Sequence, residues 1–308
     1  MVKADGYGHG AGDVAGVALG EGALALCVAT VAEALELRRE FAGVRILVLG
    51  PSTERDVAVA REAELDLTVF EEPIPEGVRV HLKLDTGMGR WGFSELPGPA
   101  VNVVGLMSHL ATADSDAAFA RAQLERFEAA TAAYGHVIRH IANSAATLRI
   151  PESHLDAARC GVALYGMSPF GEPPAVDGLE PALRWESYVA QVRQLAPGES
   201  TGYGRVFVAQ EATWIGIVPV GYADGFRRDL TGARVVVDGR PRRVVGTVSM
   251  DAFAIELDRR LSVGTPVTLI GHGVLIEDHA RVADTLNYEL ATGIDSSPTR
   301  ARRVVIDA

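Results

Sequence analysis

Cysteine is scarce in this sequence: Cys27 and Cys160 are the only two in 308 residues. They lie far apart and in no metal-ligand spacing, which excludes a disulfide framework and a zinc site and fits a reducing, cytoplasmic setting with no bound metal. Positive charge is also in deficit, with 29 Lys and Arg against 40 Asp and Glu and a formal net charge of −11. Such a chain has no broad basic face, so nucleic acid is excluded as a partner. No apolar run reaches the ~20 residues of a membrane-spanning helix. The N-terminus lacks the charged-then-apolar order of a signal peptide, and no low-complexity or repeat segment is present. These absences leave a soluble protein that acts on a small molecule.

What the chain does contain is core-forming material, 48% of the residues being hydrophobic, enough at this length for two domains. Up to about residue 170, short apolar runs alternate with helical periodicity. AGDVAGVALGEGA reads as helix, ALCVATVAEALELRREF as strand then helix, and RILVLGPS as a buried strand closed by Gly-Pro. DVAVAREAEL, LDLTVF, VRVHLKLDTG, VNVVGLMSHL, AQLERFEAATAAYG, IRHIANS and DAARCGVALYG continue the pattern. Repeated βα units predict a TIM-type parallel barrel with its site at the strand C-termini. Two connections, after LDLTVF and after KLDT, are too short for a helical crossover, so either the barrel lacks covering helices there or those strands are locally irregular. From Leu179 the texture changes to short alternating runs broken by Gly, Pro and Asp-Gly, ending in the tail RRVVIDA. This predicts a mostly antiparallel β domain. The expected division is residues 1–178 and 179–308, with a linker at 169–181.

The most informative string is VKADGYGHG, residues 2–10. Val2-Lys3-Ala4 reads as the end of a strand, and Gly6, Gly8 and Gly10 allow a tight turn and close approach to a ligand. A partly desolvated Lys3 in such a loop can lose its proton and attack a carbonyl, and Tyr7 is near enough to bond a bound anion. A glycine-rich surface turn with a solvated lysine is the plainer alternative. In HLKLDTGMGRWGF, Lys83, Asp85 and Arg90 form either an ion-paired rim or a site in which Arg90 donates to a ring cofactor. His109 follows an apolar strand, as structural histidines also do. Asn143 and Ser144 stand where a helix begins, suited to an anion or to plain capping. Arg159 precedes Cys160-Gly161-Val162-Ala163-Leu164-Tyr165-Gly166, whose glycine permits backbone contact with a phosphate. An arginine facing a pyridine nitrogen would leave that nitrogen unprotonated and the ring a weaker electron sink, favouring racemisation over transamination. In the second half, Tyr222 in VGYADGFRR follows a strand end and Tyr288 lies in TLNYEL; each is also compatible with a core aromatic.

Taken together and in this order, VKADGYGHG, KLDTGMGR, SHLA, ANSAATL, R-x-GVALYG, GYADG, SMD and NYE resemble alanine racemases over nearly the whole chain. The resemblance implies a barrel plus a β domain, pyridoxal 5′-phosphate (PLP) as cofactor, an amino-acid substrate and a homodimer with shared sites. It implies that Lys3 carries PLP and serves as one base, with Tyr222 of the other subunit as the opposing base. Arg159 would face the pyridine nitrogen beside His109. Arg90 would meet the phenolic oxygen and substrate, and Lys83 would carry a carbamate that holds Arg90. Tyr7, Ser144, Gly161, Val162 and Tyr288 would bind the phosphate, and Met250 with Asp251 would receive the substrate. The implied activity is interconversion of L- and D-alanine, supplying D-alanine for peptidoglycan. A racemase of serine or another amino acid, or a PLP-binding protein without turnover, are the alternatives. The chain departs from the resemblance in several places. Relatives carry a longer segment before the PLP lysine, which implies a trimmed N-terminus here. Cys160 replaces a usual proline, Thr247 a common arginine and Ser249 a frequent cysteine.

Overall fold

The computed structural model describes residues 1–135 and 137–306. The chain divides into two compact units, Met1–Leu164 and Tyr165–Ala308. The division precedes the change of texture at 179, because residues 165–178 bond to the second unit. Ala182 N–H donates to Tyr165 O, and Asn287 donates to both Ser168 O and Glu277. The expected linker contains a 3-10 turn, Pro174–Asp177.

The first unit begins with α1 (Lys3–Tyr7), α2 (Ala11–Gly20), β1 (Ala25–Val28), α3 (Val31–Glu40), β2 (Arg45–Val48), α4 (Glu54–Glu62) and β3 (Asp66–Val69). It continues with β4 (Arg79–Lys83), β5 (Val103–Met107), α5 (Ala117–Thr131), β6 (Ile138–His140) and α6 (Ser144–Arg149). The six strands pair in consecutive order, all parallel, as in the wall of a (β/α) barrel. Leu26, Val28, Ile46, Val48, Leu67, Val80, Leu82 and Leu106 are buried, which is why these runs read as continuously apolar rather than alternating. Helices α3 and α4 start where Thr30 and Thr53 form capping boxes with Glu33 and Asp56.

Both short crossovers are present as irregular segments, and side chains satisfy the backbone that a helix would otherwise satisfy. Between β3 and β4, Asn102 donates to Pro75 O and Val78 O. After β4, the Asp85 carboxylate accepts from the amides of Gly87, Met88 and Gly89, while Phe93 N–H bonds to Lys83 O.

Two expectations for this unit are corrected. Val2 N–H bonds Cys27 O of β1 at 2.9 Å, but Val2-Lys3-Ala4 forms no strand. Ala4, Asp5, Gly6 and Tyr7 take φ of 52°, 50°, 60° and 54°, a left-handed turn. Non-glycine residues in that region cost roughly 1 kcal/mol or more each. Carboxylates offset this: Glu33 of α3 accepts from Ala4, Ala29 and Thr30 N–H, and Asp5 accepts from Ala11 N–H. In DAARCGVALYG no strand forms; Val162–Tyr165 is a 3-10 turn.

The second unit holds β7 (Trp185–Tyr188), β8 (Gln191–Leu195), β9 (Ser200–Thr201), β10 (Phe207–Val208), β11 (Thr213–Val218), β12 (Arg234–Val237), β13 (Arg240–Val245), β14 (Phe253–Leu257) and β15 (Pro266–Ile270). Two helices follow, α7 (Ile276–Val282) and α8 (Asn287–Thr292). Seven strands form one antiparallel sheet in the order β7-β15-β12-β13-β14-β11-β8. The Asp-Gly turn reads correctly: Asp238 (φ 52°) and Gly239 (φ 70°) join β12 to β13 with Val237 opposite Arg240. The tail differs from expectation, since residues 301–306 form no strand, and Asp307 and Ala308 lie outside the described residues. Among the described residues no helix is long and apolar enough to cross a membrane.

Candidate active site

In the first unit the expected residues converge where the strands end. Lys83 closes β4, His109 follows β5 by two residues, and Ser144 follows β6. The left-handed turn presents the Lys3 ammonium 6.0 Å from the centre of the Tyr7 ring. Burial lowers the Lys3 pKa, and the Arg90 and Arg159 guanidinium groups lower it further against an opposing pull from Glu33. Lys83 is 4% exposed, between the rings of Phe70 and Trp91 at 5.6 and 5.8 Å. Burial, then Arg90 and Arg159, bring its pKa down to about 8. His109 falls to about 3 through burial and the charges of Arg159, Lys83, Arg90 and Lys3, so its ring is neutral. Arg90 is exposed and stacks over Trp91 at 5.2 Å.

Arg159 is 7% exposed and both its terminal nitrogens are committed. Nη1 donates to His140 Nδ1 at 2.7 Å and to His140 O at 2.9 Å. Nη2 donates to Ser108 O at 2.7 Å and lies 3.2 Å from His109 Nδ1 and 3.4 Å from Ile141 O. The hydrogen bonds of Arg159 thus run through Nη1 and Nη2, and none among the described residues uses Nε–H.

Ser144 does not cap its helix. Asn143 is the N-cap, accepting from Ala146 N–H, and this releases the buried Ser144 hydroxyl to accept from the amides of Gly161 (2.8 Å) and Ala163 (3.2 Å). A Cβ on Gly161 would come within 2.6 Å of the Tyr7 hydroxyl, so only glycine fits beside Val162. Burial pushes the Tyr7 phenol up to about 12, which keeps it a hydrogen-bond donor. Two hydroxyls and backbone amides thus meet in a cradle with the chemistry of a phosphate site. Around it stand the four cations Lys3, Lys83, Arg90 and Arg159, against the carboxylates of Glu33 beside Lys3 and Asp85 beside Lys83. A group bearing a phosphate and a phenolic oxygen supplies the missing negative charge, so these residues fit PLP.

The sequence reading passed over His140 and Ser108, both of which bond Arg159. The signal available was position: each ends or follows a parallel strand, as the expected residues do.

In the second unit, Gly221 and the 3-10 turn Tyr222–Asp224 follow β11. Tyr222 and Ala223 N–H bond Ser249 O and Met250 O at 3.0 Å. A Cβ on Gly221 would stand 2.2 Å from Met250 O, which accounts for the glycine before the tyrosine. Phe226 anchors the turn, stacked on Phe253 at 4.3 Å in the core. The Tyr222 side chain is 42% exposed and Met250 51%. Asp251 pairs with Arg300 at 2.7 Å. Tyr288 is half-buried on α8, whose following residue Gly293 packs so tightly that a Cβ on Gly225 would lie 2.4 Å from its carbonyl. The unit therefore gathers Tyr222, Met250 and Asp251 at one turn.

The family models described as alanine racemase, N-terminal domain and alanine racemase, C-terminal domain match residues 1–169 and 182–304. An alanine racemase of Levilactobacillus brevis is 39% identical, the match covering 98% of this chain and 90% of that protein. Alanine racemase 1 of Bacillus subtilis is 36% identical over 97% of this chain and 85% of its own. Among solved structures, the biosynthetic alanine racemase of Pseudomonas aeruginosa superposes with a TM-score of 0.87 at 37% identity, covering 96% of this chain and 89% of that one. The Bacillus anthracis alanine racemase with bound L-Ala-P gives 0.84 at 35% identity, covering 96% and 85%. With both halves matched and identities in this range over nearly the entire length, the chain belongs to the alanine racemase family.

Proposed function

We propose that this chain interconverts L- and D-alanine with PLP as cofactor, as a cytoplasmic homodimer whose product serves peptidoglycan synthesis. The observation that carries the site assignment is the convergence of Lys3, Arg90, His109 and Arg159 on the Tyr7–Ser144–Gly161 cradle. When bound, PLP supplies an electron-withdrawing ring that makes the substrate Cα proton removable. Lys3 holds the cofactor through its amine and moves a proton at Cα on one face. The Tyr222 hydroxyl of a partner copy moves a proton at Cα on the other. Tyr7, Ser144, Gly161, Val162 and Tyr288 hold the phosphate. Met250 and Asp251 border the substrate. Purified PLP-loaded protein should convert L-alanine to the racemate by polarimetry; a loaded protein with no change in rotation would reject the reading.

Lys83 is suited to carry a carbamate, because a buried amine with a lowered pKa spends more time neutral and reactive, and Arg90 is the cation at hand. Labelled bicarbonate should give a carbamate carbon signal in nuclear magnetic resonance that Lys83→Arg removes.

With Nη1 and Nη2 committed, Arg159 would have its Nε–H to offer to the pyridine nitrogen of a bound PLP. Being charged, it donates without surrendering its proton, and so limits electron withdrawal. Arg159→Glu reverses this: a carboxyl can protonate the nitrogen. The expected result is a new long-wavelength absorption band during turnover, slower racemisation and more transamination per racemisation event. An unmoved spectrum and partition would make Arg159 purely structural.

A further inference from the structure

Behind Arg159 a line of buried polar side chains runs across the first unit's sheet. His140 Nε2 lies 2.7 Å from His81 Nδ1, and His81 Nε2 lies 3.5 Å from Asp66 Oδ2. Asp66 is fully buried and paired with Arg79 Nε at 2.5 Å and Arg45 Nε at 2.9 Å. The sheet makes room for this line. His81 sits opposite Gly105 of β5 at a register shift between Val80 and His81. A Cβ on Gly105 would fall 2.1 Å from His81 Nδ1, so any larger residue there would occupy the place of the imidazole.

The proton positions follow from donor and acceptor inventory. A guanidinium only donates, so His140 Nδ1 accepts from Arg159 and bears no proton. Burial and then the Arg159 charge hold His140 well below its ordinary pKa, so the ring is neutral and its proton is on Nε2. That proton is donated to His81 Nδ1, which places the His81 proton on Nε2, facing Asp66. Burial also lowers the His81 pKa, against an opposing pull from Asp66. Burial raises the Asp66 pKa, but the neighbouring His81 ring at 3.5 Å and the Arg79 hydrogen bond override it and keep the group a carboxylate. With a carboxylate at one end and a guanidinium at the other, only one ordering leaves every bond with one proton. The reverse ordering would set His140 Nδ1–H against an Arg159 hydrogen at 2.7 Å.

We propose that His81 and Asp66 are positioning residues for the racemisation reaction. They hold His140 as an acceptor, so that Arg159 spends Nη1 inward and keeps Nε–H for the cofactor. The inference rests on the reading that Arg159 faces the pyridine. It adds that the orientation is set from Asp66, at the far end of the line.

The test compares His81→Leu with His81→Gln, whose amide oxygen can still accept from His140 Nε2–H and whose NH2 can still reach Asp66. In ¹⁵N-histidine-labelled holoenzyme without substrate, multiple-bond nitrogen–proton correlation reads the tautomers. His140 and His81 should both be neutral with the proton on Nε2. His140 should keep this state in His81→Gln and lose it in His81→Leu. His81→Leu should lower racemisation kcat about tenfold with KM little changed, and raise the share of transamination, whereas His81→Gln should stay within about twofold of the parent. A wild-type His140 protonated on Nδ1, or equal losses in both variants, would overturn the proposal. Should His81→Leu not fold, Gly105→Ala displaces the ring and should reproduce its tautomer change and its partition. Expected tautomers with an unmoved partition would overturn the positioning role while leaving alanine racemisation intact. A holoenzyme with those tautomers and no racemisation would overturn the functional reading as well.

Discussion

Borohydride treatment of the PLP-loaded protein should fix the cofactor on the peptide that contains Lys3, and Lys3→Ala should lower racemisation by about a thousandfold or more. Two lysines compete for this role, and the structure separates them. Lys83 has its pKa brought further down, to about 8, but it is 4% exposed and enclosed by Phe70 and Trp91, with no room for a ring on its nitrogen. Lys3 is half-buried, loses proton affinity to burial, Arg90 and Arg159, and stands beside the Tyr7–Gly161 cradle. The left-handed turn starts at Ala4, so Lys3→Ala leaves the strained residues and their Glu33 and Asp5 anchors in place. Folding should therefore survive the substitution, and a thermal melt of the cofactor-free variant close to the parent checks this. A reduced adduct on Lys83, or none at all, removes the central assignment.

Mixing two inactive variants should restore activity. Lys3→Ala and Tyr222→Phe each remove one of the two proposed bases, an expected loss of about a thousandfold or more apiece. Tyr222 is carried on a rigid turn, yet its side chain is 42% exposed, an unusual state for a residue that moves a proton in a dry site. In the proposed dimer a partner copy would cover it. In a two-fold dimer whose sites each take Lys3 from one chain and Tyr222 from the other, a heterodimer of the variants has one site lacking both bases and one site keeping both. Random reassortment of equal amounts makes half the dimers mixed, each with half its sites intact, so roughly a quarter of the parent activity should return. Heterodimers demonstrated by mass with no activity would place both bases in one chain.

Much of the fold and of the candidate site can be read from the chain because the signals are local. Continuous apolar runs with helical stretches between them dictate a parallel sheet, since a strand covered on both faces has no polar side to show. Asp238-Gly239 dictates its hairpin because those residues tolerate positive φ. Lys3, Arg159 and Tyr222 stand out because each lies in a string whose glycines admit close backbone approach. What the chain alone did not reveal depends on partners distant in sequence. Lys3–Tyr7 reads as strand and glycine turn, but is held left-handed by Glu33, 29 residues from Ala4, and no local propensity encodes that contact. Ser144 reads equally as an anion ligand or a cap; in the fold Asn143 takes the cap and the serine hydroxyl turns to amides on a later turn. His81 and His140 lie 59 residues apart, and nothing local in either string singles them out. Only the register shift of β4 on β5 and the bare Cα of Gly105 bring their rings together behind Arg159. A buried donor must find an acceptor wherever the tertiary fold puts one, and that choice is made by packing across strands rather than along them.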